Sequence, residues 1–178
     1  MTNPYFIFDR DGTLIDHVPY LSKVAEVRLK RGVLETLPIL QKRGFRFGIV
    51  TNQSVIARKI ASVDLVEEIN TRIVDIISQS SGVKFDFIRV CPHLPEDECY
   101  CRKPKPGLLC DVIPKFEIAC EKSYVVGDSE SDVLFGKNLG FKTILINQNP
   151  NYKCRTVADR VIVNFSDILN GLESANDS

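Results

Sequence analysis

Residues 5–13 read YFIFDRDGT, and their reading decides the fold. Tyr5–Phe8 is an apolar run with no polar face, the pattern of a strand buried on both sides in a parallel sheet. It ends abruptly in Asp9, Arg10 and Asp11, then Gly12 and Thr13. Ligands of open parallel sheets bind beyond the carboxyl ends of the strands. The polar residues just after each strand are therefore the ones that carry function.

Working outward, further short apolar runs predict strands at Phe45–Val50, Phe85–Val90, Tyr124–Val126 and Thr143–Ile146, with an edge strand at Arg160–Val163. Helix-period segments fall between them. Val33, Leu34 and Leu37 begin a stripe that Gly44 stops, and Ser62 is placed to cap a helix running to Gly82. Two more helices are expected over Leu108–Phe116 and Asp132–Leu139. Alternating strands and helices predict an α/β fold, a Rossmann-like three-layer sandwich with a central parallel sheet and right-handed crossovers. The 178 residues suit one domain, over residues 1–172, with 173–178 a polar tail expected to fray.

Composition narrows the function classes. Lys plus Arg and Asp plus Glu both number 23, so the chain lacks the basic excess of a polyanion binder. No apolar run approaches the roughly 20 residues of a membrane span. The first residues lack the basic region of a signal peptide, so the expected compartment is the cytoplasm. The expected partner is a small molecule, with neither nucleic acid nor membrane, and the expected state is a monomer.

After the strands come Asp9 and Asp11, then Thr51-Asn52-Gln53-Ser54, then a Cys/His segment, then Gly127-Asp128-Ser129. If the chain stays extended past Phe8, the Asp9 and Asp11 side chains share a face. Carboxylates so close repel unless a cation or proton lies between them. With Asp128 they form an oxygen-only set suited to a hard cation, Mg²⁺. The segment 91–107 reads CPHLPEDECYCRKPKPG. Cys91, His93, Cys99 and Cys101 offer three thiolates and one imidazole, a closed tetrahedral set for structural Zn²⁺. Such a loop would fix Arg102 and Lys103, which follow at once, toward the phosphate pocket. Cys110, Cys120 and Cys154 are expected to fill core positions, and His17 to lie in a loop near the site entrance.

FDRDGT, Thr51, the Arg102-Lys103 pair and Gly127-Asp128 with Asp132 arrive in the order of the haloacid dehalogenase-like phosphatases, which the chain resembles over about residues 5–147. The resemblance implies that Asp9 is the nucleophile forming an aspartyl-phosphate and Asp11 the general acid/base. It implies that Thr51 and Asn52 bind the phosphoryl group and that Lys103 holds Asp9 and the phosphate. It further implies Mg²⁺ on Asp9, Asp128 and the backbone carbonyl of Asp11, supported by Asp132. The absence of a long insertion after the first strand, or between the second and third, implies a minimal cap.

Within the superfamily the zinc loop is similar to that of the D-glycero-D-manno-heptose 1,7-bisphosphate 7-phosphatases of lipopolysaccharide-precursor synthesis. It is equally similar to that of the histidinol-phosphate phosphatases. TNQSVIARK (51–59) and KPKPGLL (103–109) resemble the heptose group. On that resemblance Arg58 and Arg102 contact the distal phosphate or sugar hydroxyls, and the substrate is a phosphorylated sugar or polyol. Val55 and Lys59 depart from the group by standing where its pattern has glycines, and Ser129 stands where a lysine is common. Phosphotransferase or mutase chemistry on the same nucleophile is the rival enzyme class. A zinc-bearing interaction module is the non-enzyme one, and zero net charge with an intact acidic set speaks against it.

Overall fold

The computed structural model describes residues 2–149, 152 and 155–172. Cys154 and the tail 173–178 lie outside the described residues. Six parallel strands form one sheet: β1 (Tyr5–Phe8), β2 (Arg46–Asn52), β3 (Phe87–Cys91), β4 (Tyr124–Gly127), β5 (Lys142–Ile146) and β6 (Arg160–Ile162). Their order is β3-β2-β1-β4-β5-β6, with every pairing parallel. The three-layer α/β expectation holds.

Period-two alternation in β1 explains the layers. Phe6 and Phe8 face one side, where they pack with Leu37 and Leu40 of α1 (Val33–Lys42) and Ile69, Ile73 and Ile77 of α2 (Val63–Ser81). Tyr5 and Ile7 face the other, with Val112 of the short α3 (Val112–Lys115) and Phe135 of α4 (Glu130–Asn138). All four β1 side chains are fully buried. This is why the strand reads as a continuous apolar run.

Local signals set the helix ends. Ser62 caps α2, its side chain accepting from the Leu65 N–H at 3.1 Å. Gly82 closes α2 in the left-handed conformation. The expected helix over Leu108–Phe116 shortens to Val112–Lys115, because Pro106–Leu108 forms a separate 3-10 turn and Pro114 has no N–H to give. α4 begins two residues before its expected start. Ser129 and Asp132 form a reciprocal capping box that fixes its first turn.

The topology makes one crevice. From β1 the chain steps outward through β2 to β3, then returns to place β4 on the other side of β1. The β1–β4 boundary is the switch point where connections diverge, the usual ligand position in such sheets.

Candidate active site

β1 and β4 each deliver a carboxylate to that switch point. The Asp9 N–H donates to the Val126 carbonyl at 2.8 Å, locking the end of β1 to β4. Asp9, Asp128 and Asp132 bring carboxylate oxygens within 4.8 Å of one another. Asp128 follows β4 directly, and Asp132 lies one turn into α4. The Asp132 Oδ2 accepts from the Ser129 N–H at 3.1 Å and its hydroxyl at 2.5 Å, so the capping box also aims the carboxylate.

The chain does not stay extended past Phe8, which corrects the expectation that Asp9 and Asp11 share a face. It turns at Arg10, whose carbonyl accepts from the Leu14 and Ile15 N–H groups at 3.0 and 3.1 Å. Asp9 joins Asp128 and Asp132. The Asp11 side chain instead turns toward the loop after β2, where Gln53 Nε2 donates to its Oδ2 at 2.7 Å. The turn needs Gly12. Its φ is +78°, and a Cβ there would stand 1.8 Å from Asp128 Oδ2.

Lys103 lies at the centre of the carboxylates. Its Nζ donates to Asp9 Oδ1 at 2.6 Å, Asp132 Oδ1 at 2.6 Å and the Val50 carbonyl at 3.0 Å. All three ammonium hydrogens are therefore used, and the side chain is buried. Burial works against its charge, but Asp132 and Asp9 more than offset this and hold Lys103 above the usual lysine range. Burial, together with the charges of Asp132 and Asp11, pushes Asp9 up to about 8 against the opposing pull of Lys103. Burial and Asp132 also raise Asp128.

These residues fit a divalent cation. Three carboxylates face one ammonium, leaving a formal charge of −2 when all are ionised. Asp9 uses one oxygen on Lys103, and Asp128 accepts no hydrogen bond among the described residues. Hard oxygen donors of this kind suit Mg²⁺. Asp132 spends both oxygens on Lys103 and Ser129, so it braces the set.

Thr51, buried at the end of β2, accepts from Gln53 Nε2 at 2.8 Å. The Asn52 carboxamide, expected to bind a phosphoryl group, pairs with the Lys103 backbone. Its Nδ2 donates to the Lys103 carbonyl at 3.2 Å, and its Oδ1 accepts from the Lys103 N–H at 3.1 Å. Asn52 therefore orients the lysine. The sequence reading gives no role to Arg10, Gln53 or Asn70, although all are buried. Their only sequence signal is position: Arg10 and Gln53 follow strands, and Asn70 is a polar residue on the apolar stripe of α2.

The Cys/His segment closes as expected from its spacing. Cys91, His93, Cys99 and Cys101 bring one ligand atom each into a common cluster. The Sγ–Sγ distances are 3.2 to 3.6 Å, and His93 Nδ1 lies 3.3 Å from Cys101 Sγ and 3.6 Å from Cys91 Sγ. A tetrahedral Zn–S₄ unit with bonds near 2.3 Å has edges of about 3.7 Å, so the set fits that ion. Cys91 is buried, whereas Cys110 is exposed, against expectation, with its Sγ 3.3 Å from the Tyr100 hydroxyl. Cys120 is half-buried beside the Phe135 cluster. Arg102 Nη1 donates to the His93 carbonyl at 2.9 Å, tying the basic pair back to the loop.

A cleft of about 180 Å³ opens over Asp11, lined by His17, Tyr20, Asn52, Gln53 and Ser54 among others. His17 is exposed at its wall, and the exposed Arg58 lays its guanidinium over the Tyr20 ring at 5.9 Å. Lys59 adopts φ +57°, the left-handed conformation that a glycine supplies without strain, whereas Val55 is buried against Ala61 and Val66. Larger hollows, of about 450 and 690 Å³, lie beside β3 and β6 and contain none of the site carboxylates. Among the described residues no helix is long and apolar enough to cross a membrane.

The chain is similar to known proteins along most of its length. A family model described as HAD-hydrolase-like matches residues 100–162. The D-glycero-beta-D-manno-heptose-1,7-bisphosphate 7-phosphatase of Helicobacter pylori (strain J99) is 33% identical over 150 residues, 84% of this chain and 86% of that protein. The histidine biosynthesis bifunctional protein HisB of Legionella pneumophila (strain Lens) is 37% identical over 148 residues, 82% of this chain but 42% of that longer protein. The crystal structure of D,D-heptose 1,7-bisphosphate phosphatase from B. bronchiseptica, complexed with magnesium and phosphate, superposes with a TM-score of 0.82 at 26% identity. The match covers 93% of this chain and 95% of that one. Carboxylates from β1 and β4 around one buried lysine, on a sheet and sequence shared with these enzymes, make this chain a member of the haloacid dehalogenase-like phosphatases.

Proposed function

We propose that this enzyme removes the 7-phosphate of D-glycero-D-manno-heptose 1,7-bisphosphate through an aspartyl-phosphate on Asp9. The observation that carries the mechanism is the Lys103 ammonium, bonded to Asp9 and Asp132 beside Asp128 at the switch point. The substrate is argued from the Helicobacter relative, which this chain spans nearly end to end, and from the B. bronchiseptica neighbour.

Phosphoryl transfer asks a protein chiefly for positioning and charge neutralisation. Asp9 attacks phosphorus with one carboxylate oxygen, and the P–O bond to the sugar breaks. Asp11, at the floor of the cleft, gives its proton to the departing oxygen. It then takes a proton from the water that attacks phosphorus, and Asp9 is released with inorganic phosphate. Thr51 binds the phosphoryl group, and Lys103 offsets its charge. Mg²⁺, held by Asp9 and Asp128 with the Asp11 carbonyl, supplies further neutralisation of the phosphoryl oxygens when bound. Zn²⁺ on Cys91, His93, Cys99 and Cys101 has no open position and is structural. Arg58 and Arg102 are the cations available to the distal phosphate. The enzyme acts in the cytoplasm as a monomer on a small phosphorylated sugar, without nucleic acid or membrane partners.

Phosphate release with Mg²⁺ from the heptose bisphosphate and from histidinol phosphate tests this reading. A kcat/KM ratio above about 10 in favour of the heptose is expected. A ratio inverted toward histidinol phosphate would replace the substrate.

A further inference from the structure

Arg10 is the largest side chain in the protein that is buried this completely, at 1% exposure, yet it carries a charge. Its Nε donates to Asp11 Oδ2 at 2.9 Å and its Nη2 to Asp11 Oδ1 at 3.1 Å. The remaining arm, Nη1, donates to Asn70 Oδ1 at 3.0 Å, and Asn70 is itself buried on α2. A guanidinium gripping both oxygens of one carboxylate fixes the plane of that carboxylate as well as its position. Asn70 in turn fixes the plane of the guanidinium. The orientation of Asp11 is thus referred to a 19-residue helix through Arg10, while Gln53 holds its Oδ2 from the loop after β2.

Stability alone is a weak reason for this arrangement. Apolar side chains of similar volume commonly replace a buried ion pair without loss. Among the described residues Arg10 also makes no hydrogen bond to Asp9, Asp128, Asp132 or Lys103. It bears on the reaction through Asp11, beside which it also lines the cleft.

We infer that Arg10, seated by Asn70, is a positioning residue that sets the angle at which Asp11 meets the leaving oxygen. This rests on the reading of Asp11 as general acid and adds what holds it. The role is specific. Arg10 matters when the departing oxygen needs a proton, and matters little when it departs as a stable anion.

The test compares kcat/KM, which reports the step that breaks the P–O bond, on an alkyl phosphate and on p-nitrophenyl phosphate. Arg10→Met is expected to lose about 10- to 100-fold on the alkyl ester and less than about 3-fold on the aryl ester. Asn70→Ala, which removes the hydrogen bond to Arg10 and leaves Asp11 untouched, should show the same selectivity at smaller size, and it decides the matter if Arg10→Met does not fold. Arg10→Lys, with one nitrogen in place of the fork, should recover only part of the loss. Equal losses on both esters in the Arg10 and Asn70 variants would overturn the inference. Asp11→Asn is run in parallel. If it shows the selectivity and the others do not, the positioning role fails while Asp11 stands. If Asp11→Asn itself loses equally on both esters, the acid role of Asp11 is what fails.

Discussion

Gly12 and Asp128 occupy the same space but for one missing carbon: a Cβ on Gly12 would lie 1.8 Å from Asp128 Oδ2 and 2.6 Å from its Cγ. The φ of +78° there is also one that L side chains rarely adopt. Gly12→Ala should therefore displace Asp128. We expect Mg²⁺ affinity, read by calorimetry, to fall by at least about 10-fold, with a parallel loss of turnover. Unchanged affinity would mean that Asp128 is not a ligand.

Lys103 neutralises carboxylates that are otherwise buried together. Lys103→Met leaves Asp9 and Asp132 without their shared partner, a loss of roughly 3–5 kcal/mol of stability when a buried pair is broken on one side. Adding Asp132→Asn should restore much of that stability and none of the activity. Urea unfolding of the single and double variants checks the first statement, and phosphate release the second.

Asp9 is pushed up to about 8, above its unfolded range, so between about pH 4 and 8 the metal-free folded state holds more protons than the unfolded one. Stability without divalent cation should therefore fall as pH rises through that window. Asp128, raised in the same direction, adds to the trend. Mg²⁺ must displace the proton, so its affinity should climb with pH and level off above 8. Melting curves from pH 5 to 8, with and without Mg²⁺, test this. A flat metal-free curve would sink it.

The Cys/His cluster ends at Cys101, two residues before Lys103. Cys99→Ser should release the metal, lower the melting temperature and reduce turnover, and added Mg²⁺ should restore neither. Elemental analysis of the purified enzyme should give about one zinc per chain.

Lys59 holds φ +57° on an exposed surface. Lys59→Gly should raise stability by about 0.5–1 kcal/mol, because the strain of a left-handed non-glycine residue is lifted. Val55→Gly should lower it, because Val55 is buried against Ala61 and Val66. Thermal unfolding separates the two signs.

The sheet was legible because β1 is buried on both faces, and a strand with no polar side needs no periodicity to be recognised. Asp9 and Asp128 were legible for the same reason, as the first polar residues after such strands. Asp11 is placed less well by the sequence, since Gly12 permits a turn but does not say that the backbone already turns at Arg10. The helix expected over Leu108–Phe116 failed where Pro106 and Pro114 removed donors on either side of Val112. α4 starts at Glu130, ahead of the expected Asp132, because Ser129-x-x-Asp132 spells its cap. Asn52, Arg10 and Asn70 act through pairings with residues 51, 1 and 60 positions away, and one-dimensional spacing does not carry such partners.

The return of the chain from β3 to β4 has a consequence in time. Asp9 leaves the ribosome before Asp128 and Asp132, which emerge more than a hundred residues later. The neighbours that complete the site exist only once β4 has docked against β1. A nascent chain ending before β4 carries the whole FDRDGT motif and has no seat for a cation, so it is chemically silent throughout its synthesis. The crossover from β3 to β4 is thus also the step that arms the enzyme.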